Sequence, residues 1–302
     1  MYRVIMAPTD GSEGERPAVD LAASLARQFD AELRLVRVET PPVAVDPHTG
    51  PGVLEQTEEL LIEERRKREK RLEALGEELR SGDVKHVTTS LASGVVTATL
   101  RDYVREFKID LIVMMSHSRG GLTRIALGSV TDYLIRYADV PVVVVKPSLA
   151  AGGHGDGTLS RILVPLDGSP NAEQILPHVA ALAKRMGTSV EVLRVLTPST
   201  YSQEQIMDAA LPWWEADMAA ARAYVERVVG RLVADGVRAE SEVILGEDVA
   251  ASILTQSTRI DADLIAIATH GVGGLRRLVF GSVADRVTRQ STTSLLVFHP
   301  GR

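Results

Sequence analysis

The chain repeats itself, and that limits its fold more than any other feature. Laid over one another, YRVIMAPTDGSEGERPAVDLAASLARQFDAELRLVRVETP (2–41) and SRILVPLDGSPNAEQILPHVAALAKRMGTSVEVLRVLTP (160–198) bring Asp10 onto Asp167, Gly11 onto Gly168 and Ser12 onto Ser169. At the same constant spacing Arg37 meets Arg194, Val38 meets Val195 and Pro41 meets Pro198. Further on, DLIVMMSH (110–117) matches DLIAIATH (263–270), and Gly128-Ser129 matches Gly281-Ser282 at a slightly smaller spacing. The second copy is therefore shorter in its middle. A chain of 302 residues is long enough for each copy to bury a core of its own. The expected organisation is one domain over 1–147, a second over 159–302, and a linker at 148–158. That linker, SLAAGGHGDGT, is small and polar, and His154 within it reads as part of a tether.

Each copy alternates strand with helix. The short apolar runs VIMA, LRLVRV, LIVMM and VVVVK are bounded by turn residues, as in parallel strands buried on both faces. Between them AVDLAASLARQF (18–29) and ILPHVAALAKRM (175–186) carry apolar residues at helical spacing. Segments 53–80 and 203–234 read as longer amphipathic helices. The order βαβαβαβαβ predicts an α/β fold: two tandem repeats, each an open five-stranded parallel sheet with helices on both faces, Rossmann-like. With strand order 3-2-1-4-5, a ligand crevice lies beyond the carboxyl ends of strands one and four. Strand one ends in APTDG (7–11) or VPLDG (164–168), and strand four in MMSH (114–117) or IATH (267–270).

Charge and composition remove several classes of function. A net charge of −6 gives no broad basic surface for nucleic acid. The one basic run, ERRKREKR at 64–71, alternates with Glu inside a helical pattern and reads as a solvated face. Absence of cysteine removes disulfides and thiolate chemistry. No apolar run approaches the ~18 residues of a membrane span, and MYRVIMAPTD lacks the regions of a signal peptide. The expectation is a cytoplasmic protein that partners neither membrane nor nucleic acid.

Strand four runs into a glycine-rich loop in both copies: MSHSRGGLTRIALGS (115–129) and ATHGVGGLRRLVFGS (268–282). Gly-Ser then leads into helix-like VTDYLIRY (130–137) or VADRVTRQ (283–290). A helix start presents unpaired amides and positive dipole to an anion, and glycines let the backbone approach it. Ser129-x-x-Asp132 and Ser282-x-x-Asp285 equally fit capping boxes, which would only start a helix. The two readings stay open together, because amides remain after one is capped. GVGGLR (271–276) lacks the third glycine of GxGxxG, and no Walker loop, GxSxG elbow or HExxH helix occurs. His117 and His270 occupy matching places and read as loop-positioning residues, without a partner set for catalysis. Arg119, Arg124, Arg276 and Arg277 are candidates to steady phosphates or, equally, ordinary surface charges.

With its strand ending in Pro-x-Asp-Gly-Ser and its loop pattern G-x₂-G-x₉-G-[ST], the sequence resembles the universal stress protein family. The resemblance covers both repeats and leaves only the linker. It implies the 3-2-1-4-5 sheet and, for one branch of the family, binding of ATP, with or without magnesium. On that resemblance Asp167 and Val195 border adenine, and Ile267 and Ala268 lie along the nucleotide. Backbone at Gly271, Gly281, Ser282 and Val283 then holds ribose and phosphates. The matching set in the first repeat is Asp10, Val38, Met114, Met115, Ser118, Gly128, Ser129 and Val130. Ala268 replaces the first glycine of the pattern, while Met115 and Ser118 replace both leading glycines in the first repeat. The second repeat is therefore expected to bind nucleotide at least as well as the first. The function implied is a non-catalytic, nucleotide-responsive stress protein; the alternatives are a scaffold that has lost nucleotide in one or both repeats and a slow ATPase. The last strands, 141–146 and 294–299, are hydrophobic edges expected to pair with each other, with a homodimer as a further possibility.

Overall fold

The computed structural model describes residues 1–40, 51–116, 127–147, 157–197, 210–269 and 281–299, with backbone alone for 51–58 and 210–214. The first repeat runs β1 (Val4–Pro8), α1 (Arg16–Phe29), β2 (Glu32–Glu39), α2 (Pro51–Ser81), β3 (Val87–Ser93), α3 (Val96–Glu106), β4 (Leu111–Met115), α4 (Ser129–Tyr137) and β5 (Val142–Val145). The second runs β6 (Arg161–Pro165), α5 (Pro170–Glu173), α6 (Leu176–Met186), β7 (Ser189–Leu196), α7 (Ala210–Ala234), β8 (Arg238–Leu245), α8 (Val249–Arg259), β9 (Leu264–Ala268), α9 (Ser282–Gln290) and β10 (Ser294–Phe298). The expected α/β alternation is present in both.

By packing, the chain divides into two compact units, Met1–Met114 and Met115–Arg302. In the first unit the strands lie in the order β3-β2-β1-β4, all parallel, with Ile5 of β1 opposite Leu33 on one side and Leu111 on the other. In the second unit the order is β5-β10-β9-β6-β7-β8. Numbered within its own repeat, β8-β7-β6-β9-β10 is the expected 3-2-1-4-5 read from its outer edge inward. Strand β5 joins this unit through antiparallel pairing with β10, Leu295 opposite Val144 and Val297 opposite Val142. The two hydrophobic last strands thus cover each other.

Burial explains which residues form strands. Strands β4 (LIVMM) and β5 (VVVV) are buried at every position, and β9 (LIAIA) at all but its last. Side chains on both faces of these strands are buried, so an uninterrupted apolar run is what the sheet requires. Outer strand β8 (RAESEVIL) is instead part-exposed along its length, and its charges discourage pairing with another chain.

Candidate functional site

The second repeat gathers its expected residues at the carboxyl edge of three neighbouring strands. Strand β6 lies between β7 and β9, with Pro165 opposite Leu193 and Leu163 opposite Ile265. Two residues beyond Pro165 the chain reaches Asp167, and two beyond Leu193 it reaches Val195, so both stand at one level of the edge. The turn after β6 is tightly specified. Leu166 N–H donates to Leu193 O at 2.9 Å, and Ser169 N–H donates to Asp167 Oδ1 at 2.8 Å. Gly168 between them has φ +84°, and a Cβ there would meet nothing within 4 Å. Glycine is needed for its left-handed backbone, not for space. The Ser169 hydroxyl then caps α5 by accepting from Ala172 N–H at 3.1 Å.

Val195 is buried at the end of β7, and Gly246 closes over it: its N–H donates to Leu196 O at 3.0 Å. Any side chain at Gly246 would overlap the Ser252 hydroxyl and stand 3.4 Å from Val195 Cγ1. Gly94 takes the matching place in the first repeat, at φ +147°, with its N–H on Glu39 O at 2.9 Å. Sequence reasoning missed both; their signal was a glycine immediately after each third strand. Beside Asp167, the Tyr224 hydroxyl is buried next to Glu173. Burial pushes its pKa up, and the nearby Glu173 and Asp167 push it further.

On the other side of β6, Ile267 is buried and Ala268 half-buried at the end of β9. Thr269 ties this end to β10, its N–H on Phe298 O at 2.9 Å and its hydroxyl 2.6 Å from His299 Nδ1. Burial lowers the His299 pKa, with Asp139 opposing. Helix α9 then begins at Ser282, with Gly281 as its N-cap and no side-chain cap. Helix α4 begins in the same way at Ser129 behind Gly128. The capping-box reading fails in both places: each serine is the first helical residue, one position too late to cap. Ser129 and Ser282 are exposed, while Val130 and Val283 are half-buried.

Asp132 and Asp285, free of any capping role, form a reciprocal charge cluster. Arg136 bonds Asp132 at 3.0 Å and Asp285 at 2.8 Å; Arg289 bonds Asp285 at 2.9 Å and Asp132 at 3.2 Å. Burial opposes ionisation of Asp285, but Arg289 and Arg136 hold its carboxyl below the usual range.

In the first unit Asp10 makes the same turn as Asp167: Ser12 N–H donates to Asp10 Oδ1 at 2.9 Å, with Gly11 at φ +78°. A Cβ at Gly11 would stand 2.7 Å from Arg37 Nη1. This turn has an addition, Glu15, buried and accepting from the Thr9 hydroxyl at 2.7 Å and Asp10 N–H at 2.5 Å. Burial raises the Glu15 pKa against those two bonds. Val38 is half-buried on β2, and Met114 and Met115 are buried in β4. Met115 O accepts from the Thr131 hydroxyl at 3.2 Å, and Ser116 O from Gly128 N–H at 3.0 Å. The second repeat has Ala284 in place of Thr131, so it lacks the hydroxyl for the first of these ties. Gly271, Ser118, His117, His270, Arg119, Arg124, Arg276, Arg277 and His154 lie outside the described residues. Among the described residues no cluster of His, Asp and Glu could hold a metal ion, and no helix is long and apolar enough to cross a membrane.

A doubly wound sheet with an Asp-Gly-Ser turn after strand one and a glycine-led helix after strand four is an α/β architecture with a crevice beyond the carboxyl ends of those strands. The model of the universal stress protein family matches residues 1–146 and again 158–299, and the chain belongs to that family. A universal stress protein of Mycolicibacterium smegmatis is 29% identical, covering 98% of this chain and 97% of its own length. One from Methanocaldococcus jannaschii is 37% identical over 48% of this chain and 83% of its own. A Pseudomonas aeruginosa protein of unknown function, 17% identical, has the same fold at a TM-score of 0.67 over 99% of this chain and 93% of its own.

Proposed function

We propose that the second repeat binds an adenine nucleotide, ATP in the first instance, at the carboxyl edge of β7, β6 and β9. Asp167 and Val195 border the base, Ile267 and Ala268 lie along the nucleotide, and the amides of Gly281, Ser282 and Val283, with Gly271, receive ribose and phosphates. Magnesium, on this reading, arrives with the nucleotide. The observation that carries the proposal is the start of α9, a helix N-terminus whose cap is a glycine and whose first residue, Ser282, is exposed, following the strand that neighbours the one leading to Asp167. The buried Tyr224 hydroxyl, beside Glu173 and Asp167, adds a polar group at this edge. On this reading the protein acts as a nucleotide-responsive module of the stress response. Its output requires that nucleotide favour one conformation over another.

For the first repeat a second reading is favoured: a structural domain with weak or no nucleotide. Met115 and Ser118 replace its leading glycines, and the Gly128 amide is already bonded to Ser116. The test is titration of purified protein with ATP and magnesium, with identification of any nucleotide released on denaturation. Ser282→Asp should weaken ATP binding by about tenfold or more, because it adds a charge where phosphate is held, while the helix gains a favourable N-terminal acid. Ser129→Asp should change little. Unaltered affinity in Ser282→Asp, or higher occupancy in the first repeat, would overturn the proposal.

A further inference from the structure

Helix α2 runs far beyond the sheet it packs on. It buries Leu72 and Leu79, yet every residue from Glu59 to Lys67 is exposed. Three apolar side chains lie in that stretch: Leu60 at 63% exposure, Leu61 at 40% and Ile62 at 53%.

The charges of the segment are sorted along its length. Glu59, Glu63 and Glu64 come first; Arg65, Arg66, Lys67, Arg68, Lys70 and Arg71 follow, interrupted by Glu69 alone. Lys67 pairs with Glu63 at 3.1 Å and Glu64 at 3.3 Å, and Arg68 with Glu39 at 3.1 Å. Arg65, Arg66, Lys70 and Arg71 have no ion pair among the described residues. At 3.6 residues per turn, Glu59, Ile62, Glu63, Arg66 and Lys70 form one stripe, and it faces away from Leu72 and Leu79.

We propose that this outward stripe of α2 docks against the same stripe of a second copy of the chain, antiparallel, about a two-fold axis between Glu64 and Arg65. A two-fold contact must be self-complementary. In this register Glu59 faces Lys70 of the partner subunit, Glu63 faces Arg66 of the partner subunit, and both pairs recur by symmetry. Ile62 lies on one shoulder of the seam and Leu60 on the other, the shoulder that also carries the aliphatic stem of Lys67 of the partner subunit. A parallel, in-register pairing would set every charge against its like.

The test is sedimentation of the full chain over a dilution series, in low and high salt. Wild-type protein should dimerise, more weakly as salt rises. Glu59→Lys with Glu63→Lys makes the stripe wholly basic; Arg66→Glu with Lys70→Glu makes it wholly acidic. Each double variant should lose self-association by about tenfold or more, since four attractions become repulsions. Mixed together, the two should form a heterodimer, because each pair is then restored with its signs exchanged. All the substituted positions are exposed, and thermal melts check that the fold is intact. A monomeric wild type, double variants that still dimerise, or a mixture that fails to regain the dimer would each overturn the proposal.

Discussion

Asp30 and Gly187 occupy the same place in the two repeats and end the first long helix of each in a left-handed conformation, φ +53° and +68°. Each turns its amide back onto the helix, Asp30 to Ala26 and Arg27, Gly187 to Ala183. A Cβ at Gly187 would meet nothing within 4 Å, so Gly187→Ala should cost about 1 kcal/mol from backbone strain alone, measured by chemical denaturation. Asp30→Gly should move stability the other way. His178 is a different kind of residue-scale commitment. Stacked on Phe298 at 4.5 Å, it is held neutral by burial, its pKa pushed from 6.5 down to about 4. The unfolded chain takes up a proton at the higher value. Its contribution is therefore complete above pH 6.5 and lost as the pH falls towards 4, to the extent of roughly 3 kcal/mol. His178→Phe should flatten the acid limb of a stability–pH profile. None of this was legible in the sequence, where His178 is one polar residue on an apolar helix pattern.

Between elements, the end of β5 carries an unusual cost. Lys146 is 3% exposed, and among the described residues its Nζ reaches only Thr288 O at 3.5 Å, while its N–H bonds the Ser294 hydroxyl at 3.1 Å. Burial lowers its pKa to about 8 from 10.5, so the ammonium penalises folding fully below pH 8, and the penalty lifts as the pH rises towards 10.5. Lys146→Met keeps the stem and the main-chain bond. It should raise stability at neutral pH by up to about 3 kcal/mol, with the gain shrinking in alkali. The elements themselves were largely readable: buried parallel strands announce themselves as unbroken apolar runs, and Asp-Gly-Ser as a turn. Helix starts were not. Whether Ser282 caps α9 or is its first residue depends on the dihedrals of Gly281, which a string such as Gly-Ser-Val-Ala-Asp leaves open. The cluster of Arg136, Asp132, Arg289 and Asp285 was equally hidden, since two of its four bonds join residues from different repeats.

At the scale of the molecule, packing divides the chain after Met114, well before the linker expected at 148–158. The reason is that α4 and β5, though written in the first repeat, make their contacts with α9 and β10. Chains cut at the linker, 1–147 and 159–302, should therefore each expose a hydrophobic edge, β5 in one and β10 in the other. Separately expressed, they should self-associate or precipitate, and mixing should rescue them. Two soluble, monomeric fragments would contradict this. The sequence by itself determined the repeat and the α/β alternation, because periodicity and turn chemistry are local and were written twice; the strand order was implied only by the resemblance that its motifs carry. Only the tertiary structure decided which amides at the helix starts go uncapped, which charges are paired or stranded, and where one compact unit ends. Those depend on distances between residues far apart in the chain, and a one-dimensional pattern carries no record of them.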